Sequence, residues 1–296
     1  MRGVKNYLSL IKFSHTIFAM PFAMIGFFLG VVSVESEAHS SPWYMRYGLK
    51  FVLVILCMIF ARSAAMAFNR YLDRQFDARN PRTAIREIPA GILQANSVLL
   101  FTIVNAVLFI IAAYLINPLC FYLSPVALLV VLGYSYTKRF TPLCHLVLGL
   151  GLSLAPIGAY LAVTATFSLL PVLFSLAVIF WVSGFDIIYA LQDEEFDRTQ
   201  QLYSIPAWLG KSRALRFSEL LHVLSASCVV LAGLYGNFGW LYWAGVAVFA
   251  GMLVYQHSIV KPGDLRRVNL AFMTANGIAS VVFALFVISD IFISPR

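Results

Sequence analysis

Charge is what this sequence has least of. Only 11% of its 296 residues are charged, and just 13 are acidic. Together with 61% apolar residues and a mean hydropathy of +0.85, that scarcity excludes an ordinary soluble domain. The period-two alternation of a membrane strand is also missing, which argues against a barrel. Cysteine is sparse: Cys57, Cys120, Cys144 and Cys228 are scattered through apolar stretches without metal-like spacing, so they read as packing residues. The five histidines are equally dispersed and show no zinc or haem pattern.

Long apolar runs are abundant. Crossing a hydrocarbon core of roughly 30 Å takes about 20 residues, and nine stretches qualify: 16–34, 48–69, 96–116, 118–136, 143–164, 170–190, 217–235, 239–256 and 269–291. They predict an all-α, polytopic membrane protein, with about nine helices in one bundle and residues 1–296 as a single domain. The fourth stretch is the least continuous, because Pro118 starts it and Pro125 interrupts it. The first follows a basic start (Arg2, Lys5, Lys12), is long for the apolar core of a signal peptide, and precedes no small-x-small cleavage site, so it reads as a retained helix.

The net charge of +8 could suggest nucleic acid, but its placement speaks for topology. With nine spans and the N-terminus inside, 17 of the 21 Lys and Arg fall before the first span or after even-numbered ones. That positive-inside asymmetry places those connections on the cytoplasmic side of a prokaryotic inner membrane. Lipid is the expected surrounding, and no nucleic-acid or protein partner is implied.

Two of those connections carry acidic motifs. In NRYLDRQFD (69–77), Asn69, Asp73 and Asp77 recur every four residues, a rise of about 6 Å with a drift of about 40° per step on a helix, so they share one face. Arg62 lies seven residues before Asn69, well inside the span, and a guanidinium at that depth implies a polar cavity or a partner. In FDIIYALQDEEFDR (185–198), Asp186, Asp193 and Asp197 share a face by spacings of seven and four. Asp73 and Asp193 lie 120 positions apart, as do Asp77 and Asp197, and each pair reads Asp-x-x-Phe-Asp, a trace of two pseudo-repeats of roughly 1–136 and 137–296.

Paired carboxylates in a partly dry site need a cation between them. Hard oxygen ligands suit Mg²⁺, which keeps sites for substrate phosphates. Arg82, Arg86, Lys138, Arg139 and Arg198 are the candidate phosphate ligands. Arg70 and Arg74 are assigned to topology, on the reading that they point away from the Asp face.

Asn69-x-x-x-Asp73-x-x-x-Asp77 followed by RTAIREIPAG (82–91), then Tyr134-x-x-x-Lys138 and Asp193-x-x-x-Asp197, resembles the UbiA superfamily of intramembrane aromatic prenyltransferases. The likeness implies a central cavity under a cap of cytoplasmic loops, and transfer of a polyprenyl group from polyprenyl diphosphate to an aromatic ring. It also implies two Mg²⁺ bridged by the diphosphate, one held by Asn69, Asp73 and Asp77 and the other by Asp193 and Asp197. Lys138, Tyr134, Arg82 and Arg86 would bind the diphosphate. Arg62 would hold an acceptor carboxylate, and Asp186 would orient the acceptor, take its proton, or support the second metal cluster. Many relatives carry an arginine where this chain has Lys12 in IKFSHTIFAMPFA, so substrate binding there keeps the charge but loses the bidentate fork.

The first-segment wording and GFDIIYALQDEEFD resemble the 4-hydroxybenzoate polyprenyltransferase-like subgroup, some members of which resemble enzymes of the futalosine route to menaquinone. The expected acceptor is 4-hydroxybenzoate, with a dihydroxynaphthoate as the alternative, in quinone biosynthesis. A different class, an ion-coupled transporter, stays open from the carboxylates alone, although transporters tend to place them near mid-membrane.

Overall fold

The computed structural model describes residues 2–11, 18–34 and 42–294. Lys12 therefore lies outside the described residues. Helices follow one another as α1 (Arg2–Leu10), α2 (Met20–Val34), α3 (Trp43–Leu72), α4 (Arg74–Arg79), α5 (Ala95–Ile116), α6 (Pro118–Thr137) and α7 (Cys144–Thr164). The second half continues with α8 (Leu169–Ala190), α9 (Glu194–Thr199), α10 (Ile205–Leu209), α11 (Lys211–Tyr235), α12 (Trp240–Ile259) and α13 (Asn276–Ile293). Among the described residues no strand occurs, only an isolated bridge between Lys261 and Asp264.

Each expected apolar stretch is helical over its described part, and seven helical segments are long and apolar enough to cross a membrane. The other two stretches form the shorter apolar α2, of 15 residues, and α12, of 20. The count of nine is therefore approximate, while the all-helical membrane architecture holds.

Pro125 does not end α6. A proline cannot donate to the carbonyl four residues back, and here that carbonyl, on Phe121, accepts instead from the Ser124 hydroxyl at 2.8 Å. Pro118 occupies the first turn, where no N–H is needed, and Asn117 caps it by accepting from the Cys120 amide at 2.8 Å.

Helices in lipid gain little from apolar burial against one another and depend on close fit. At the α2–α7 crossing, a Cβ on Gly26 would stand 1.9 Å from the Pro156 carbonyl oxygen, so only glycine permits that approach. At the α7–α8 crossing, a Cβ on Gly149 would stand 2.5 Å from the Ile179 carbonyl oxygen. Fully buried aromatic rings, among them Phe22, Trp181, Phe249 and Phe283, fill the space between α2, α8, α12 and α13. The Trp181 indole donates to the Asn276 amide oxygen at 2.8 Å, which also receives the Gln256 amide at 2.9 Å, so the three side chains are joined through one acceptor.

Gly26→Ala should lower stability by about 1–3 kcal/mol through overpacking, read as a lower thermal midpoint in detergent. Gly48→Ala is the control, because its Cβ meets nothing within 4 Å, and its midpoint should be equal or higher.

Candidate functional site

Both acidic motifs sit on the same local shape. α3 ends at Leu72 and the chain re-enters a short helix, α4, while α8 passes through a 3₁₀ turn at Leu191–Asp193 into the short helix α9. Each break falls at the first aspartate of its motif, so Asp73 and Asp193 stand where a membrane helix gives way to the loops that cap one end of the bundle. Under this cap lies a cavity of about 570 Å³. Of the residues expected from sequence, Arg62, Asn69, Asp73, Asp77, Arg82, Arg86, Tyr134, Lys138, Asp186 and Asp193 all line it. Residues from four stretches of chain thus face one space.

The carboxylates are interleaved with cations. Arg139 reaches Asp73 at 3.1 Å, Arg86 reaches Asp77 at 2.6 Å and Lys138 reaches Asp197 at 2.6 Å. Arg82 grips Asp193 through two of its nitrogens, one of them at 3.0 Å. Burial, reinforced by the neighbouring Asp77 charge, pushes the Asp73 carboxyl up to about 6 in spite of Arg139. Burial alone would lower the Lys138 ammonium, but the Asp197 carboxylate more than reverses that, leaving it above its ordinary value.

Two expectations need correction, those for Arg198 and Arg70, and Asp197 stands apart from the other acids. Asp197 shares the acidic face but does not line the cavity: it is fully buried behind Lys138, which stands on the cavity side. Arg198 is turned outward, with 63% of its side chain exposed, and pairs with Glu194 one helical turn away at 2.7 Å. Arg70 is not an outward topology residue but is buried, with 6% exposure, and lines the cavity. The reason lies within α3 itself: at about 100° per residue Arg70 falls only about 40° from Met66, which also lines the cavity. Arg74 does behave as expected, lying on the Tyr71 ring and donating to the Tyr71 carbonyl at 2.6 Å.

Two residues escaped the sequence reading. Asn80 donates to Asp193 at 3.1 Å and accepts from the Arg82 backbone amide at 3.0 Å, so it helps set the grip of Arg82 on Asp193. His145, at the start of α7, is buried and meets Asp186 through Nδ1 at 2.7 Å. Its Nε2 accepts from the Ile205 amide at 3.4 Å, which assigns the proton of the neutral ring to Nδ1, donating to Asp186. No spacing rule links positions 41 apart.

A second, apolar cavity of about 390 Å³ runs among α3, α5, α6 and α7. It shares Arg62, Met66, Tyr134, Leu148 and Leu152 with the polar one, and reaches Ile116, Cys120 and Phe167 at the far end of the bundle. A molecule with a charged head and a long hydrocarbon tail fits that succession.

The donor set also fits a hard cation. Asn69, Asp73, Asp77 and Asp193 present oxygen donors to one space, and the Asp77 Oδ2 atom is buried without a hydrogen-bond partner. Orphaned anionic oxygens of this kind are costly unless something positive occupies the site.

Lys138→Met should destabilise the protein by about 3 kcal/mol, the low end for breaking a buried pair because Lys138 keeps 34% of its side-chain surface exposed. Thermal unfolding should show part of that loss restored in Lys138→Met/Asp197→Asn, where no unpaired charge remains.

Comparison with known proteins agrees with this geometry. The UbiA prenyltransferase family model matches residues 19–278. The chain is 28% identical over 256 residues to a 4-hydroxybenzoate octaprenyltransferase of Burkholderia mallei, covering 86% of this chain and 87% of that one. It is 30% identical over 241 residues to a protein of the same name from Aeromonas hydrophila, covering 81% and 83%. Among solved structures, the apo form of a UbiA homologue from Aeropyrum pernix superposes with a TM-score of 0.77 at 27% identity, covering 94% of this chain and 97% of that one. A UbiA homologue from Archaeoglobus fulgidus, bound to GPP and Mg²⁺, shares the fold with a TM-score of 0.71 at 20% identity, covering 97% and 99%. A family match that spans most of the chain, together with a bundle of the same fold and a polar cavity opening onto an apolar one, shows that this chain belongs to the UbiA prenyltransferase family and is a membrane-embedded prenyltransferase.

Proposed function

We propose that the protein transfers a polyprenyl group from polyprenyl diphosphate to a hydroxylated aromatic acid of the 4-hydroxybenzoate type, in quinone biosynthesis. The observation that carries this reading is the shared wall of the two cavities: a ring containing Arg62 and Tyr134 separates a charged chamber from a hydrocarbon-lined one. A polyprenyl diphosphate would place its head in the first and its tail in the second, leaving the reacting carbon at that ring. The curated relatives' names point to the same acceptor. The ion-coupled transporter has no support from the family match.

In the reaction, the bond between the allylic carbon and the diphosphate oxygen breaks and the diphosphate leaves with the electron pair. A carbon of the electron-rich ring then bonds to the allylic cation and loses a proton. Asn69, Asp73 and Asp77 would hold one Mg²⁺ and Asp193 and Asp197 a second, for which Lys138 must give way to free Asp197. Bound there, the metal supplies Lewis-acid neutralisation of the leaving group. Arg82, Arg86, Lys138 and Arg139, which hold carboxylates in the structure, would bind the diphosphate oxygens. Arg62 holds the acceptor's carboxylate. Asp186, held by the His145 Nδ1–H, lines the cavity and takes the ring proton. The chain acts as one domain of two pseudo-repeats, in an inner membrane with the capped end toward the cytoplasm.

The test is product formation by the purified protein in lipid, from labelled polyprenyl diphosphates of several lengths with 4-hydroxybenzoate or a dihydroxynaphthoate. A prenylated acid that disappears with chelator is expected, and absence of product from every pair overturns the reading. Asp73→Asn and Asp193→Asn should each cost about 100-fold or more in kcat, the scale of losing one electrostatic stabiliser of a transition state. Arg62→Ala should raise KM for the aromatic acid more than for the diphosphate; equal rises would remove its assigned role. His145→Asn keeps a donor where Nδ1–H stood and should retain more kcat than His145→Leu, with the KM for the diphosphate unmoved in both.

A further inference from the structure

Arg70 is the cation in the cavity that nothing above employs. It keeps only 6% of its surface, and its Nε is buried without a hydrogen-bond partner. Asp77 and Glu87 lie within reach of its charge, but Arg86 takes Asp77 at 2.6 Å and the Ser9 hydroxyl donates to Glu87 at 2.6 Å. A buried guanidinium left in this way is expensive, and an anion entering the cavity would relieve it.

The position of Arg70 indicates which anion. The rim of the cavity already carries Arg82, Arg86, Lys138 and Arg139 for a diphosphate. Arg70 belongs to the last turns of α3, and side chains on a helix lean toward its N-terminus. On α3 that direction runs from the motif level down toward Met66 and Arg62, the other cavity-lining residues four and eight positions earlier. The Arg70 head lies within electrostatic reach of Tyr134, which also faces Arg62, as well as of Arg86, Asp77 and Glu87 at the cap, and its planar fork matches a carboxylate better than a point charge would.

Resting on the acceptor reading above, we propose that Arg70 is a second carboxylate-binding residue for the aromatic acid, acting beside Arg62 and setting the enzyme's preference for an acid over a neutral phenol. The test uses the full chain in lipid nanodiscs with Mg²⁺ and a polyprenyl diphosphate. It compares 4-hydroxybenzoate with 4-hydroxybenzamide, and a dihydroxynaphthoate with its carboxamide, by kcat/KM and by calorimetric binding. Wild type should prefer the acid, and in Arg70→Met the acid-over-amide preference should fall about 10- to 100-fold, the scale of a charge-assisted hydrogen bond.

Arg70→Lys, which keeps the charge but not the fork, should fall between the two and reports the same ratio if Arg70→Met does not fold. Without acceptor, Arg70→Met should melt at or above the wild-type temperature, because an unpaired buried charge is gone. An unchanged acid-over-amide preference in both variants overturns the proposal, as does a loss confined to diphosphate binding. Failure of wild type to prenylate any acid overturns the acceptor reading itself, so the two failures are told apart.

Discussion

A carboxylate at the end of a membrane helix keeps its charge only while a cation stays within a few ångströms, and four such carboxylates are gathered here under one cap. The structure meets that demand by interleaving, so that Asp73, Asp77, Asp193 and Asp197 each receive a different basic residue. Three of the four cations arise far from their acid in sequence: Arg82 crosses from the first half to the second, Arg139 from the α6–α7 loop to the end of α3, and Lys138 to the start of α9. The caps of the two halves are thereby tied together by the same groups that chemistry requires. The ion pairs that neutralise the acids also hold the cap together.

The deeper part of the site depends on packing of another kind. The crossings at Gly26 and Gly149 bring α2, α7 and α8 close enough to exclude lipid from between them, while α3, α5, α6 and α7 leave the long apolar cavity. Tight fit on one side and open space on the other are consequences of side-chain size at a few positions. The aromatic core around Trp181 fixes α8, and α8 carries Asp186 and leads into Asp193. By contrast α3, which lines the apolar cavity, leads into Asp73 and Asp77.

The sequence was informative where a single helix supplies the answer. Regular spacing of Asn69, Asp73 and Asp77 needed only the period of a helix, and the recurrence of Asp-x-x-Phe-Asp identified its counterpart. Spacing misled at Arg70, which shares the cavity side of α3 with Met66, and it carried no sign that Lys138 covers Asp197 or that Arg198 pairs outward with Glu194. His145 and Asn80 were invisible for a different reason: each acts through a residue more than 40 positions away, and no local pattern encodes such a pairing.

Hydropathy, charge asymmetry and motif period by themselves determined that this chain is a helical membrane protein with paired acidic motifs at one end, because those properties are sums over local residues. Only the tertiary structure decided which cation neutralises which acid, that Arg70 turns inward, that His145 holds Asp186, and that the charged and apolar cavities meet at Arg62 and Tyr134. Each of these is a distance between helices, fixed by how side chains of particular volumes fit across an interface, and that fit is a property of the packed bundle rather than of any segment within it.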